Sequence, residues 1–361
     1  MKTIAILGTR GIPNHYGGFE QLAEHLALEL VKRGYKTIVY NSSLHPYKKA
    51  EWNGVIIKHR FDPENRIGTA GQFIYDLNCI LDLRKLKPDV ILQLGYTSSS
   101  IWHRLLPKRS VLVTNMDGLE WKRQKYSKWT KRFLLYAEGL AVRSSHKLIA
   151  DSLGITDYLL KKYGKASEYI PYGANEFADP EPGVVKDLGL EPGKYFLVIC
   201  RLEPENNIEM ILKGFVKANS GKKLVIVGNY SKGYGKNLKK KYGKNPVILF
   251  TGAIYDSKIL NNLRHFSSLY FHGHSTGGTN PSLIEAMAAG SFICAHNNIF
   301  NESVLGSDGR YFSDPEEVAN LMNSETAEKT KIMLVAANIE KVRSIYNWQT
   351  IFDSYENVLT S

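Results

Sequence analysis

Cysteine is scarce in this chain of 361 residues: Cys79, Cys200 and Cys294 are the only three, far apart and without metal-ligand spacing. That excludes a disulfide framework and a thiolate zinc site, and the three read as buried thiols of a reducing compartment. Long apolar runs are missing too. No stretch approaches the roughly 20 residues that a membrane-spanning helix needs, and Lys2–Gly8 already reads as a strand, without signal-peptide anatomy. The expected location is cytoplasmic, with a peripheral position on the inner face of the plasma membrane left open. Negative charge is also in deficit: 47 Lys and Arg against 35 Asp and Glu give a net charge of +12. Such an excess favours a polyanionic small molecule, an anionic membrane surface or nucleic acid. No nucleic-acid module is recognisable and the basic residues are dispersed, so nucleic acid is not an expected partner.

What is present is alternation. "TIAILG" (Thr3–Gly8) is a short buried-strand run, followed by a glycine-containing loop. In "FEQLAEHLALELVKRG" the residues Phe19, Leu22, Ala23, Leu26 and Leu30 recur at helical spacing, and Gly34 ends the helix. "KTIVYN", "DVILQLG", "SVLVTN" and "HKLIADS" continue the strand series. Proline and loop residues then cluster over 173–194, which marks a domain boundary. Beyond it the pattern restarts with "YFLVIC", "KLVIVG", "VILFTG", "LYFHG" and "SFICA" as strands between helices. The expected organisation is α/β throughout. A Rossmann-like domain spans 1–172, a linker 173–194, a second Rossmann-like domain 195–340, and a C-terminal helix 341–361 packs back on the first. Both sheets are parallel and doubly wound, and such sheets bind ligands beyond the carboxyl ends of their strands.

Four loops at such ends carry candidate chemistry. In "GTRGIPNHYGGFE" Gly8 and Gly11 miss the dinucleotide fingerprint, but Gly17 and Gly18 precede a helix, where backbone N–H groups can approach an anion. In "HSTGGTNPSLIEAMAAG" Asn280 is a good N-cap and Pro281 a good first helical residue. Gly277 and Gly278 permit close approach there, Thr279 adds a hydroxyl, and Glu285 lies one turn behind, able to accept from two ribose hydroxyls. Arg201 ends a strand in "CRLEPENN", where a guanidinium can meet phosphate oxygens. Asp117, in "NMDGLEWKR", is a turn residue whose carboxylate can bind a sugar hydroxyl or take a proton.

Three of these segments, Gly8–Glu20, Asp117–Arg123 and Arg201–Asn207, resemble those of GT-B glycosyltransferases of family 4, and most closely bacterial cell-surface polysaccharide rhamnosyltransferases. The resemblance spans nearly the whole chain. It implies a GT-B fold, two Rossmann-like domains facing across a cleft. It also implies a retaining transfer of a sugar, L-rhamnose first, from a dTDP- or UDP-sugar donor to a lipid-linked saccharide acceptor. Under it Asp117 and Arg201 are the catalytic candidates. Gly17, Gly18, Arg201, Gly277, Gly278, Thr279 and Asn280 bind the donor diphosphate, and Glu285 holds the ribose. Glu20, Glu120 and Asn206 are candidate sugar or acceptor contacts. Two positions depart from the family pattern: Gly277 stands where relatives carry the first Glu of E-x7-E, and Asn206 where many carry Lys.

No D-x-D motif of the metal-dependent GT-A type occurs, so no metal and no cofactor is expected. Positive backbone and Arg201 would then stabilise the leaving diphosphate, with front-face attack favoured. The stretch Glu120–Tyr136 interleaves Lys and Arg with Trp121, Trp129, Phe133, Leu134 and Leu135. Read as one helix starting beside Asp117, it would lie in an anionic headgroup layer; the competing reading is a solvated basic face with the aromatics in the core. Two other functions stay open: a family 4 hexosyltransferase using a UDP-sugar, and, more distantly, a nicotinamide-dependent oxidoreductase.

Overall fold

The computed structural model describes residues 1–116, 118–122, 126–276 and 278–361. Short strands too apolar to face water are sandwiched between helices in two separate compact units, so nearly every strand position is inside. The first unit comprises Met1–Lys122, Tyr126–Pro171 and Gln349–Ser361; the second comprises Tyr172–Trp348.

In the first unit the elements run β1 (Thr3–Leu7), α1 (Gly18–Lys32), β2 (Lys36–Ser42), β3 (Glu51–Trp52), β4 (Val55–Arg60), α2 (Glu64–Ile67), α3 (Gly71–Leu86), β5 (Val90–Leu94) and β6 (Val111–Asn115). Then follow α4 (Lys128–Ser144), β7 (Lys147–Ala150), α5 (Leu153–Tyr163) and β8 (Glu168–Tyr169). The sheet order among the described residues is β3-β4-β2-β1-β5-β6-β7-β8, parallel except for the β3–β4 pair. The second unit runs α6 (Pro182–Asp187), β9 (Tyr195–Ile199), α7 (Ile208–Lys217), β10 (Lys223–Val227), α8 (Gly233–Tyr242), β11 (Ile248–Gly252), α9 (Ser257–His265) and β12 (Leu269–His272). It continues with α10 (Pro281–Ala288), β13 (Ile293–His296), α11 (Ile299–Leu305), β14 (Arg310–Phe312), α12 (Pro315–Asn323) and α13 (Glu328–Ser344). Its order is β11-β10-β9-β12-β13-β14, all parallel.

Strand order therefore reverses between β1 and β5 in one sheet and between β9 and β12 in the other. At such a switch point the loops after the two strands diverge to opposite faces and leave a crevice. The loops that follow β1, β9 and β12 are three of the four singled out by sequence.

Two boundaries differ from the sequence reading. The stretch 173–194 is part of the second unit, because Ala174, Val185 and Leu190 are buried in its core beside Tyr195 and Leu263. The tail is also not one helix from 341: α13 ends at Ser344 and α14 (Trp348–Thr360) starts anew. From Gln349 onward α14 belongs to the first unit. Tyr355 is fully buried there, and its hydroxyl accepts from Asn115 Nδ2 at 2.8 Å. Arg33 donates to Asp353 at 2.7 Å and pairs with Glu356, and Lys2 Nζ reaches the Thr360 carbonyl at 2.8 Å.

The turn after β1 is sterically fixed. Gly8 has φ +92°, and a Cβ there would lie 2.2 Å from the Leu94 carbonyl oxygen. Gly34 has a similar φ of +86° but open space around it. Gly34→Ala is expected to cost about 1 kcal/mol from backbone strain alone. Gly8→Ala adds a backbone clash and is expected to cost well above about 2 kcal/mol. Urea unfolding of the two variants measures the difference, and equal losses would contradict the packing described.

Candidate functional site

The second unit builds its crevice from two loops tied to each other. After β9, the chain turns through Arg201, which is exposed, and the turn is closed by Asn206, whose Nδ2 donates to the Arg201 carbonyl at 2.6 Å. Asn207 takes the left-handed conformation, φ +50°, and its side chain donates to the Gly273 carbonyl at 2.8 Å. From the other side, Ser275 N–H and Oγ both donate to the Glu205 carbonyl, at 3.0 and 2.8 Å. Gly273 is in direct contact: a Cβ there would fall 2.0 Å from the Asn206 carbonyl oxygen. Asn298 and Asn301 each donate to the His274 carbonyl at 3.0 Å. The backbones of Arg201, Gly273, His274 and Ser275 are thus tied together at the switch point.

That loop delivers α10. Asn280 Oδ1 caps it by accepting from Ser282 N–H at 3.0 Å, with Pro281 in the first turn, as the sequence predicts. The helix start is fixed to the strand ends, since Ser282 Oγ lies 2.7 Å from Tyr270 Oη and 3.4 Å from the Ile199 carbonyl. Amide groups of a first helical turn lack intrahelical acceptors and carry partial positive charge, so they suit an anion. Thr279 is buried at the loop's end and Gly278 is half-buried. Gly277 lies outside the described residues. Beneath the loop, His272 is buried and stacked on His274, ring centroids 4.4 Å apart. Burial, then His274 and Arg264, push its imidazole well below the ordinary value, so it is neutral.

Glu285 sits on α10 beyond the cap, a quarter exposed, and its Oε2 accepts from Arg264 Nη2 at 2.5 Å. The sequence reading missed Arg264. The signal was available: on α9, Leu260, Leu263 and Arg264 recur at helical spacing on the inward face, and an arginine there needs an anion. Asn206 is nearly fully buried. Its amide closes a backbone turn at Arg201.

The first unit's loop is more closed than its sequence suggests. Gly17 caps α1 in an extended conformation, without a side-chain hydrogen bond. Glu20 is almost fully buried, and its Oε1 accepts from Arg10 N–H at 2.8 Å. A Cβ on Gly17 would lie 3.3 Å from Glu20 Oε2. The Glu20 carboxylate thus anchors the loop at Arg10 and lies close to Gly17 at the start of α1. Gly11, φ +121°, packs against Asn41, whose side chain bonds both Ile12 N–H (3.0 Å) and Ile12 C=O (2.7 Å). Arg10 pairs with Glu64 in two contacts of 3.0 and 2.7 Å and stacks on Tyr16.

Asp117 lies outside the described residues, two positions beyond the end of β6. Glu120 opens a single 3-10 turn, Glu120–Lys122. Beside it Trp121 packs on Tyr158 and under Lys162. Lys162 in turn is held by the buried Glu138, which also accepts from Tyr158 and Tyr163 at 2.7 Å each. The stretch Glu120–Tyr136 is not one helix: α4 starts only at Lys128, capped by Ser127. Its aromatics divide, with Phe133 packed on Phe73 and Leu134 buried, while Trp129 and Tyr136 are 77% and 57% exposed.

With this geometry in place the comparisons can be set beside it. Residues 185–331 match the family described as glycosyl transferases group 1, and residues 1–175 match a domain of unknown function, DUF1972. The chain carries a group 1 glycosyl transferase domain, and its two parallel-sheet units have the GT-B fold. Among solved structures it is similar to sucrose-phosphate synthase from Thermosynechococcus elongatus, with TM-score 0.82, 16% identity, and 99% and 98% of the two chains covered. It is similar to Anabaena HepE in complex with UDP and glucose, with TM-score 0.77, 17% identity, and 100% and 99% covered. A glycosyltransferase from Rickettsia africae matches with TM-score 0.71 and 14% identity over 99% and 97%. No curated protein matches by sequence. Nothing in these comparisons supports the oxidoreductase alternative.

The loop beside Gly17 supplies a pH prediction. His45 is buried against Pro13 O (3.1 Å), accepts from Tyr47 N–H (3.1 Å) and meets His15 edge-on. Burial, and then the neighbouring His15, push its imidazole down to about 4. A base whose folded value lies below its unfolded one (about 6.5) stabilises the fold fully above pH 6.5 and loses that contribution as pH falls toward 4. Wild type should lose on the order of 1 kcal/mol more than His45→Gln between pH 7 and 5 in urea titrations; parallel profiles would refute the assignment.

Proposed function

We propose that this chain is a retaining glycosyltransferase that takes its sugar from a nucleoside diphosphate donor bound in the second unit. The reading is carried by one observation: Arg201, the start of α10 and Glu285 are held on one frame at the β9/β12 switch point. Guanidinium and helix amides match a diphosphate, and a carboxylate further along the same helix can accept from a hydroxyl of the donor's pentose, one in a dTDP-sugar and two in a UDP-sugar. The HepE structures, in complex with UDP and with UDP-glucose, support the donor class. Gly278, Thr279 and Asn280 contribute the backbone of the diphosphate site, together with Gly277. The finer reading is L-rhamnose from dTDP-rhamnose, with a UDP-sugar as the alternative, and a lipid-linked saccharide as acceptor in bacterial cell-surface polysaccharide synthesis. It rests on the sequence motifs.

The bond between the sugar's anomeric carbon and the diphosphate oxygen breaks, and the acceptor oxygen bonds to that carbon on the same face. The acceptor's proton passes to the departing phosphate oxygen, so no covalent sugar–protein bond is needed. Charge accumulates on the diphosphate, where Arg201 and the α10 amides are already oriented and no metal is required. Asp117 is proposed as an acceptor or sugar contact, with general-base duty secondary, and Glu120 as a further contact.

In a transfer and thermal-shift panel of dTDP-rhamnose, UDP-glucose, UDP-N-acetylglucosamine and GDP-mannose, one donor should protect and turn over. Arg201→Ala should lower kcat/KM for it by about a hundredfold or more with the fold intact. Protection by none of the four, or an unimpaired Arg201→Ala, would reject the site.

A peripheral membrane position is favoured by α4, where exposed Trp129 and Tyr136 sit among Lys128, Lys131 and Arg132, with no helix among the described residues able to cross a membrane. The protein should co-sediment with anionic vesicles at low salt and be released by high salt. Trp129→Ala should weaken the binding several-fold; absence of binding at low salt ends the idea.

A further inference from the structure

We infer that Arg264 is a positioning residue for Glu285, fixing its carboxylate in the orientation that receives the donor's ribose hydroxyls. The inference rests on the ribose-binding reading of Glu285 proposed above and adds the residue through which that reading works.

The side chain of Arg264 is 3% exposed, whereas that of Glu285 is 26% exposed. Taking a guanidinium out of water is costly unless its partners are good; here Nη1 and Nη2 are bonded, while the buried Nε has no partner among the described residues. Nη2 donates to Glu285 Oε2 at 2.5 Å and lies 3.4 Å from Ser282 Oγ, and Nη1 donates to Asn261 Oδ1 at 3.1 Å. The backbone is fixed as well, since Ser267 Oγ and Ser291 Oγ both donate to the Arg264 carbonyl, at 2.8 and 3.1 Å. Ser282, which the same nitrogen approaches, is the residue that ties the start of α10 to Tyr270.

A glutamate on a helix flank has three side-chain torsions and, left alone, samples solvent. Pinned through Oε2, it keeps one orientation relative to the helix start, where the diphosphate is proposed to sit. The planar fork presents Nη1 to Asn261 and Nη2 to Ser282 and Glu285, a spread that one ammonium nitrogen does not reproduce. The cation also offsets the repulsion between Glu285 and a nearby anionic ligand.

The test measures the affinities of UDP and dTDP against their 2′,3′-dideoxy counterparts by calorimetry. Wild type should discriminate in favour of the hydroxylated ligand by at least about tenfold, as expected for a hydrogen bond to a charged group. Arg264→Leu should reduce that ratio to about twofold or less while leaving dideoxy affinity unchanged. On a Glu285→Gln background the same substitution should do nothing further. If Arg264→Leu does not melt cooperatively, Arg264→Lys is measured instead and should lose at least half of the discrimination. Equal weakening of hydroxylated and dideoxy ligands, or full retention of the ratio in the variant that folds, overturns the positioning role. A wild type that binds nucleoside diphosphates without discriminating overturns the ribose reading of Glu285 itself, a result separable from failure of the Arg264 variants.

Discussion

Gly273 and the Asn206 carbonyl approach each other so closely that no side chain fits between them, and the rest of the second site follows from that approach. It brings the loop after β12 onto the loop after β9, where Ser275 can reach the Glu205 carbonyl twice and Asn207 can reach Gly273. One of these hydrogen bonds is backbone to backbone and two run from a side chain to backbone, and together they join loops far apart in the chain. Preorganisation of this kind matters because dipoles that are already oriented need not reorganise as charge develops. The Arg201 backbone, the capped helix start and the Glu285–Arg264 pair are held by bonds already present in the chain itself.

The two units use the same strand order for different local ends. Around β9 and β12 the helix start is capped by a neutral amide side chain, that of Asn280. Around β1 and β5 the equivalent helix carries Glu20, which turns back to the Arg10 amide and supplies the negative charge internally. Similar topology therefore does not give similar binding capacity; the deciding element is what faces the first turn of the helix that follows the central strand.

Much of the fold was legible. β1, β5, β9 and β12 are continuous apolar runs because both faces of each sheet are covered, and the Asn280–Pro281 start of α10 follows from capping chemistry alone. What was not legible has a common cause. On α3 the inward face Asp76, Cys79, Ile80 and Leu83 includes a carboxyl that accepts from Ser98 Oγ at 2.6 Å, and burial pushes it up to about 7. That acid breaks the apolar period, as Arg264 does on α9. Buried polar residues look like surface until their partners are known, and those partners lie on other elements: Ser98 after β5, Glu285 on α10. The same applies to Glu20 and Asn206, polar residues in recognisable motifs that turned out to serve the backbone. The uninterrupted basic helix expected from Glu120 failed for a different reason. Ser127 is a strong cap, and the tryptophan ahead of it is drawn into the Glu138–Lys162 cluster.

The division of α14 bears on how the polypeptide is assembled during synthesis. The first unit draws on both ends of the chain, with the whole of Tyr172–Trp348 interposed. While translation proceeds, every strand of the first sheet has emerged long before the residue that bonds Asn115, Tyr355, exists. The interposed unit Tyr172–Trp348 can settle as it leaves the ribosome, while its predecessor still lacks the helix that covers Asn115. Completion of the earlier-made half is thereby postponed until Gln349–Ser361 has been made and closes it.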